Sequence, residues 1–159
     1  MSDRDKHHQA IGHVSAQFGR LEINMAHLVI TLMGVNDLEI GRIVVRELAF
    51  RRTYEVAYRL LKRRDVLSAL TPDFKAMMVK FKRIEEKRND VIHSTLAGEG
   101  PSLGRLKLER NQIPGLEYTT QSPKEIEAVA IEIDVVNKEL RAFHTRLADM
   151  IQAGTVVGR

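Results

Sequence analysis

Three polar residues near the middle of the chain carry groups that could bind a phosphate and move a proton. They are Arg88, Asn89 and His93. A histidine changes its charge near neutral pH, and an arginine binds carboxylates and phosphates through charge-assisted hydrogen bonds. Asn89 and His93 are four residues apart and therefore share one face of a helix. The spacing predicts a compact polar cluster if this segment is helical.

Arg88 stands where the apolar stripe of its helix would place a hydrophobic residue, because Phe81 and Ile84 precede it at the same helical spacing. A buried guanidinium is costly without a partner, so Arg88 should meet a carboxylate, a second subunit or a ligand phosphate. A purely structural role is also open. Glu85, three residues earlier on the helix, could pair with Arg88, and His93 could complement the dipole at the helix end.

A first helix is predicted from Ile11 onwards by apolar residues at steps of three and four. These positions are Ile11, Val14, Phe18, Leu21, Met25, Leu28 and Leu32. The helix should end near Gly34, because glycine readily adopts the left-handed conformation found after a helix. Asn36 or Asp37 can then cap the next helix.

Two further helices are predicted before residue 97. The second spans Leu38 to Arg64, and we expect its buried face to include Ile40, Ile43, Val44, Leu48, Tyr54, Tyr58, Leu60 and Leu61. The third begins with Thr71 as its N-cap and Pro72 at its first position. It should continue to about Leu96, and its stripe comprises Phe74, Met77, Phe81, Ile84, Val91 and Ile92. Gly98 and Gly100 should end it.

The stretch from Ser102 to Thr120 alternates apolar and polar residues with a period of two, which predicts a short β-hairpin. Ser122 and Glu125 then form a capping box, with Pro123 at the first helical position. A long last helix follows, marked by Ile126, Val129, Ile133, Val136, Leu140, Phe143, Leu147 and Met150. These amphipathic helices can bury their stripes only against one another, so the predicted fold is mainly α-helical, an up-and-down bundle of four to five helices with a hairpin insertion.

The length and composition fit one domain over residues 1–159, with flexible ends at 1–8 and 153–159. The chain has no cysteine, so disulfides and thiol catalysis are excluded. Its first residues do not resemble a signal peptide, and no stretch is apolar enough to span a membrane. We therefore expect a soluble, cytoplasmic protein.

The net charge of +4 is unevenly distributed along the chain. Between Arg42 and Arg88 there are 14 Lys or Arg against 6 Asp or Glu, a local charge of +8, which leaves −4 for the rest. Such a segment favours an anionic partner such as RNA, although basic residues also simply solvate helix surfaces. The candidate RNA-binding residues are Arg51, Arg52, Arg59, Lys62, Arg63 and Lys87.

The segment Arg88-Asn89-Asp90-Val91-Ile92-His93 resembles the signature of the HEPN superfamily, an arginine, a polar residue and, after a short spacer, a histidine. The order of elements is similar as well. An early helix carries Phe18-Gly19-Arg20-Leu21-Glu22, a Glu-rich run at Glu85-Glu86-Lys87 precedes the signature, and a hairpin and a long helix follow it. Only the six-residue signature is specific, while the wider similarity covers most of the chain in outline.

The resemblance implies a homodimer in which two copies of the signature face each other across a twofold axis. In active HEPN members this arrangement forms a metal-independent endoribonuclease that leaves a 2′,3′-cyclic phosphate and a 5′-hydroxyl. Arg88, Asn89 and His93 would then be the catalytic residues, with Glu85 in support. The resemblance also implies a defence or toxin role, with a cognate antitoxin or a nucleotidyltransferase as a protein partner.

Two alternatives to catalysis follow from the same residues. Many HEPN members bind RNA, nucleotides or proteins without cleaving anything, so a non-catalytic helical module is the competing hypothesis. A metal enzyme is disfavoured, because no glutamate is followed three residues later by histidine, as in di-iron bundles. His7, His8 and His13 form a loose cluster without a complete ligand set. We expect no metal and no cofactor.

Overall fold

The structure, a computed structural model, describes residues 2–34, 37–98, 104–108 and 116–155. At a few of these positions it describes the backbone alone, namely 65, 66, 95, 105–108, 116–119 and 155. Within the described residues, no helix is both long enough and apolar enough to cross a membrane.

Helices make up most of the described chain. In chain order the elements are α1 (Asp3–Met33), α2 (Leu38–Arg46), α3 (Phe50–Arg63), a 3-10 helix (Asp65–Leu70), α4 (Thr71–Ile92), β1 (Thr95–Ala97), β2 (Gly104–Leu108), β3 (Leu116–Thr119), α5 (Pro123–Met150) and a π-helical turn (Ile151–Thr155). The predicted mainly α-helical bundle is confirmed.

Helix α1 begins eight residues earlier than the apolar pattern indicates, because it includes the polar residues that precede Ile11. It ends as predicted, since Gly34 follows its last residue with a φ of +66°. Asp37 caps α2: its side chain accepts hydrogen bonds from the backbone N–H groups of Glu39 at 2.9 Å and Ile40 at 3.3 Å. The alternative cap, Asn36, lies outside the described residues.

The predicted second helix is two helices, since α2 ends at Arg46 and α3 begins at Phe50. Because the helix breaks after Arg46, α2 packs against the chain through a face different from the predicted one. The buried residues of α2 are Gly41 and Val45. Three residues expected in the core are instead exposed: Ile40 by 53%, Ile43 by 63% and Val44 by 47%.

The predicted N-cap at Thr71 is wrong. The 3-10 helix runs directly into α4, so Thr71 already has helical dihedral angles, with φ −60° and ψ −43°. An N-cap residue has extended angles and accepts a hydrogen bond through its side chain. Thr71 Oγ1 is buried and, within the described structure, has no hydrogen-bond partner. The 3-10 helix supplies the entry into α4 that the cap was expected to provide.

Helix α4 ends at Ile92, four residues before the predicted end, because the chain turns into β1. Ser94 assists this ending, since its hydroxyl donates to the carbonyl oxygen of Val91 at 2.9 Å. Gly98 therefore follows a strand and does not end a helix, and Gly100 lies outside the described residues. Strand β1 pairs antiparallel with β2, with Leu96 opposite Arg105.

The predicted β-hairpin is confirmed as the antiparallel pair of β2 and β3, in which Leu106 lies opposite Tyr118 and Leu108 opposite Leu116. The turn residues 109–115 lie outside the described residues. The capping box before α5 is confirmed as well. Ser122 Oγ accepts from the N–H of Glu125 at 3.3 Å, while Glu125 Oε2 accepts from the N–H of Ser122 at 2.7 Å.

The chain divides into two compact units, and α1, α4 and α5 contribute residues to both. Unit 1 comprises 1–19 and 83–134, and unit 2 comprises 20–82 and 135–159. The core of unit 1 contains Val14, Phe18, Ile84, Val91, Ile126, Val129 and Ile133. The core of unit 2 includes an aromatic cluster of Phe50, Tyr54, Phe74, Phe81 and Phe143. The single domain over residues 1–159 stays a prediction.

Candidate functional site

The last turns of α4, in unit 1, hold the three signature residues. Arg88 stands between Ile84 and Val91, which are both only 1% exposed, and is itself half-buried. The helix therefore carries a guanidinium at a position where its neighbours along the stripe are core residues. This confirms that Arg88 occupies the apolar seam.

The guanidinium of Arg88 is held by an aromatic ring and an amide. Its Cζ lies 4.9 Å from the centroid of the buried Phe18 ring, a cation–π distance. Its Nη1 donates to Asn89 Oδ1 at 2.9 Å. Its Nε is buried and has no hydrogen-bond partner in the described structure. An N–H left unpaired in this way costs free energy, so the arginine is held in position with one donor unsatisfied.

Glu85 and Arg88 are both half-buried on α4. An ion pair with Glu85 is the main structural explanation for a charge on the seam, and it stays a prediction. The contacts that the described structure gives the guanidinium are those with Phe18 and Asn89. Because Phe18 belongs to α1, the contact that fixes Arg88 is remote in the sequence.

His93 stands immediately after the last residue of α4 and is exposed. Its backbone N–H donates to the carbonyl oxygen of Asn89 at 3.0 Å, so it continues the helical turn that begins there. The structure thus keeps Asn89 and His93 one turn apart, as their spacing predicts. The exposed imidazole is accessible to a molecule that binds at this end of the helix.

A small cavity of about 250 Å³ opens beside the signature in unit 1. Val91 and Val129 form part of its apolar wall, and Lys87, Asp90 and Gln121 supply polar groups. Gln121 Oε1 is buried and lacks a hydrogen-bond partner within the described structure. Polar groups on an apolar wall are typical of small-molecule sites, so this cavity could receive part of a ligand that reaches the signature.

Lys87, one of the predicted RNA-binding residues, is held by a carboxylate. Its ammonium group pairs with Glu132 of α5, which also binds Arg83 at 2.9 Å. Two cations therefore share the carboxylate of Glu132. Lys87 is half-buried by this arrangement and is less available to a phosphate than a fully exposed lysine.

The other five predicted RNA-binding residues lie on α3, in unit 2. Arg51 and Arg52 both pair with Glu55, at 3.4 and 3.1 Å. The remaining three, Arg59, Lys62 and Arg63, are exposed. Among the described residues, none of these three has an ion-pair partner. We call Arg59, Lys62 and Arg63 the basic face of α3.

The structure uses two N-terminal histidines in ways that the sequence analysis missed. His7 is only 4% exposed, and its ring nitrogens lie 2.8 Å from the carbonyl oxygen of Asp3 and 2.9 Å from that of Gln121. The available signal was the position of His7, one helical turn before Ile11 on the same stripe. His7 therefore acts as a buried polar link.

His13 is also engaged through both ring nitrogens, with Glu127 Oε1 at 2.6 Å and Gln17 Nε2 at 3.0 Å. A metal ligand needs a free nitrogen lone pair, and the contacts of His7 and His13 use their nitrogens on protein groups. In the part of the chain that the structure describes, no three His, Asp or Glu side chains are grouped to hold a metal ion.

Unit 2 contains a further histidine pair, formed by His27 and His144. Burial lowers the pKa of His144, and the nearby His27 charge lowers it further. His144 Nε2 lies 2.9 Å from Thr31 Oγ1, whose hydroxyl donates to the carbonyl oxygen of His27 at 3.0 Å. Because that hydroxyl hydrogen is used, His144 is the donor to Thr31. His27 also lines a cavity of about 560 Å³ in this unit.

Comparison with known proteins does not add a family to this description. No family model matches the chain, and no curated protein and no solved structure matches it. The assignment of a function therefore rests on the residues and their geometry.

Proposed function

We propose that the chain is a HEPN-like, metal-independent endoribonuclease that acts as a homodimer. The observation that carries the proposal is the arrangement at the end of α4, where Arg88 is held by Phe18 and Asn89 and the exposed His93 follows Asn89 by one turn. Electrostatic catalysis requires a charge that is already in place before the reaction. A cation on an apolar seam meets that requirement better than a solvated one.

The residues suit cleavage by an internal nucleophile of RNA. The ribose 2′-oxygen forms a bond to the adjacent phosphorus, and its proton passes to a histidine acting as general base. Arg88 stabilises the added charge on the five-coordinate phosphate. The bond between phosphorus and the 5′-oxygen then breaks, and a general acid protonates that oxygen. The products are a 2′,3′-cyclic phosphate and a 5′-hydroxyl, with no metal in the balance.

A homodimer supplies the second proton-transfer group. One His93 cannot remove the 2′-proton and at the same time donate one to the 5′-oxygen. Two copies facing across a twofold axis provide two imidazoles and two guanidinium groups. Arg88 is half-buried and not fully buried, which leaves part of the residue accessible to a second copy or to a phosphate.

The deciding experiment is an RNA cleavage assay in EDTA on the wild type, His93→Ala and His8→Ala. His8 is a matched control, because it is also an exposed histidine of unit 1 but lies outside the signature. We expect cleavage by the wild type and by His8→Ala, and a loss of roughly 100-fold or more for His93→Ala. The downstream fragments, which carry the new 5′-hydroxyl, should accept phosphate from a polynucleotide kinase directly.

Retention of cleavage in His93→Ala would contradict the mechanism and point to a contaminating nuclease. An EDTA-sensitive activity would contradict the absence of a metal step.

The cellular roles that the HEPN resemblance implies, in the cytoplasm as a defence factor or toxin with an antitoxin or nucleotidyltransferase partner, belong to the same proposal. They predict that expression of the wild type, but not of His93→Ala, arrests growth of a host cell.

A second candidate function is RNA binding without cleavage, and the basic face of α3 favours it. Exposed cations without a carboxylate partner are free to neutralise phosphates and release counterions. This function needs no proton transfer at His93. It is preferred if the wild type shifts labelled RNA at low salt, leaves that RNA intact, and binds equally well after His93→Ala.

A further inference from the structure

Helix α2 presents an apolar surface that the described chain leaves uncovered. Ile40, Ile43 and Val44 are exposed by 53%, 63% and 47%. Aliphatic side chains in one cluster are unfavourable in water, and such a cluster commonly marks an interaction site. We call Ile40, Ile43 and Val44 the α2 seam.

The seam is a continuous stripe and is separate from the face that seats α2 in its own chain. At about 100° per residue, the three residues cover one side of the helix at the spacing i, i+3, i+4. The buried Gly41 and Val45 lie to one side of this stripe. The helix therefore has two apolar faces, one used within the chain and one directed outward.

An acidic residue and a basic residue flank the seam at opposite ends of α2, so two antiparallel copies of the helix would place opposite charges side by side. Glu39 stands in the first turn of α2 and Arg46 in the last. They are seven residues apart, which is two helical turns, so they lie on the same flank. If two α2 helices pack antiparallel, the same flanks meet, and the acidic end of one helix lies beside the basic end of the other.

We propose that the α2 seam is a docking surface for the α2 seam of a second copy of this chain, arranged antiparallel about a twofold axis. The axis passes near Ile43, which then packs on its own symmetry mate. Glu39 pairs with Arg46 of the partner subunit, and the reverse pair forms by symmetry. An isologous interface of this kind must be complementary to itself, and the order of charges along α2 meets that requirement.

The proposal rests on α2 alone and does not depend on ribonuclease activity. A parallel arrangement is disfavoured, because the same flanks of two parallel helices lie on opposite sides of the interface, so Glu39 and Arg46 of one chain would not meet those of the other. An unrelated partner would need its own matching order of charges. The second copy already carries that order, which is why it is the occupant we choose.

The first test compares Ile43→Asp with Val79→Asp by sedimentation equilibrium over a range of concentrations. Val79 is a matched control, since it is an exposed aliphatic residue on α4, 71% accessible, and lies outside the seam. We expect a wild-type dimer, a rise of roughly 100-fold or more in the dissociation constant for Ile43→Asp, and little change for Val79→Asp. Circular dichroism should show both variants folded, because both positions are exposed.

The second test reverses the charges. Glu39→Arg and Arg46→Glu should each weaken self-association by about tenfold, because each converts two attractions into two repulsions. Mixing the two single variants should restore association as a heterodimer, and the double variant Glu39→Arg/Arg46→Glu should restore it as a homodimer. A role within the helix predicts the opposite for the double variant, since both changes oppose the helix dipole and should add.

A wild type that stays monomeric at about 100 μM, a concentration suited to weak dimers, overturns the proposal. So does a dimer that is insensitive to Ile43→Asp, which would assemble through another surface. Association that is lost in both single variants and not restored in the double variant also contradicts it. Loss of RNA cleavage with an intact α2 dimer would instead count against the proposed function and leave this interface standing.

Discussion

Helices α4 and α3 both carry exposed or half-exposed cations, but they hold them in different ways. Arg88 of α4 is half-buried, lies over the Phe18 ring and donates to Asn89. On α3, Arg59 and Lys62 are exposed and make no ion pair within the described residues. The first charge has a fixed position, whereas the second pair is free to move with the solvent.

A charge with a fixed position and charges that move with the solvent are suited to different roles. A fixed charge can stabilise a particular charge distribution, such as that of a five-coordinate phosphate, without reorganising during the reaction. Free surface charges attract a polyanion from a distance and respond to salt. Removing a fixed charge should therefore lower the cleavage rate of bound RNA, and removing free charges should lower the amount of RNA bound.

The largest effect is expected for Arg88→Ala. Cleavage at saturating RNA should fall roughly 100-fold or more, since the phosphate loses its stabilising charge. The free energy of unfolding should fall by only about 1 kcal/mol, because the lost stacking on Phe18 is partly offset by removal of the unpaired Nε. Single-turnover kinetics and urea denaturation measure the two quantities. If the cleavage rate fell only as much as the folded fraction of the protein, a catalytic role of Arg88 would be contradicted.

A smaller effect on a different quantity is expected when the basic face of α3 is neutralised by the triple change Arg59→Gln, Lys62→Gln and Arg63→Gln. RNA affinity should fall about tenfold or more, and the slope of log affinity against log salt should decrease by about 2 for single-stranded RNA. Cleavage at saturating RNA should not change. The matched control is Arg51→Gln with Arg52→Gln, which should have less effect because Glu55 already neutralises part of their charge.

A loss of about tenfold in cleavage is expected for Asn89→Ala, because Arg88 would keep Phe18 but lose the acceptor that orients it. Asn89→Asp sharpens the test. The carboxylate should hold the guanidinium equally well but cancel its charge, so cleavage should fall further than in Asn89→Ala. If Asn89→Asp were as active as the wild type, the charge of Arg88 would not be what matters.

The smallest effect concerns pH and separates folding from catalysis. The pKa of His144 is lowered in the folded chain from its ordinary value of 6.5, first by burial and then by His27. Below pH 6.5 the unfolded chain therefore binds a proton at His144 that the folded chain excludes, and stability decreases as pH falls. His144→Gln should flatten the pH dependence of denaturation below that value. RNA cleavage by His144→Gln at neutral pH should match that of the wild type, because His144 is not one of the proposed catalytic residues.

Features of the fold that depend on neighbouring residues could be predicted from the sequence. The Ser122 and Glu125 capping box, the Asp37 cap and the stop at Gly34 each involve groups within four residues. The alternation that predicts the β-hairpin is equally local. These interactions are short-ranged, so residue type and spacing are sufficient to anticipate them.

Features that depend on distant parts of the chain could not be predicted. The break between α2 and α3 has no proline or glycine to mark it, so the two helices looked like one. The end of α4 at Ile92 coincides with pairing of β1 to β2, a tertiary event. Both errors arise because packing overrides local helix propensity.

The position of Arg88 on its helix could be predicted from the sequence, but the contacts that hold its side chain could not. The seam position of Arg88 follows from helical spacing, and the structure agrees. Its contact with Phe18, 70 residues earlier, has no signal in the spacing. Likewise, residue type alone could not separate Arg51, which pairs with Glu55, from Arg59, which has no described ion-pair partner.

The packing of α2 couples two positions of the sequence, 30 and 41. A Cβ added at Gly41 would lie 3.0 Å from Cγ2 of Ile30 and 3.1 Å from its Cγ1, closer than side chains normally approach. Glycine at 41 and the bulk of isoleucine at 30 are thus two halves of one fit. A related chain with alanine at position 41 should therefore carry a residue smaller than isoleucine at position 30, so the two positions should vary together among homologues.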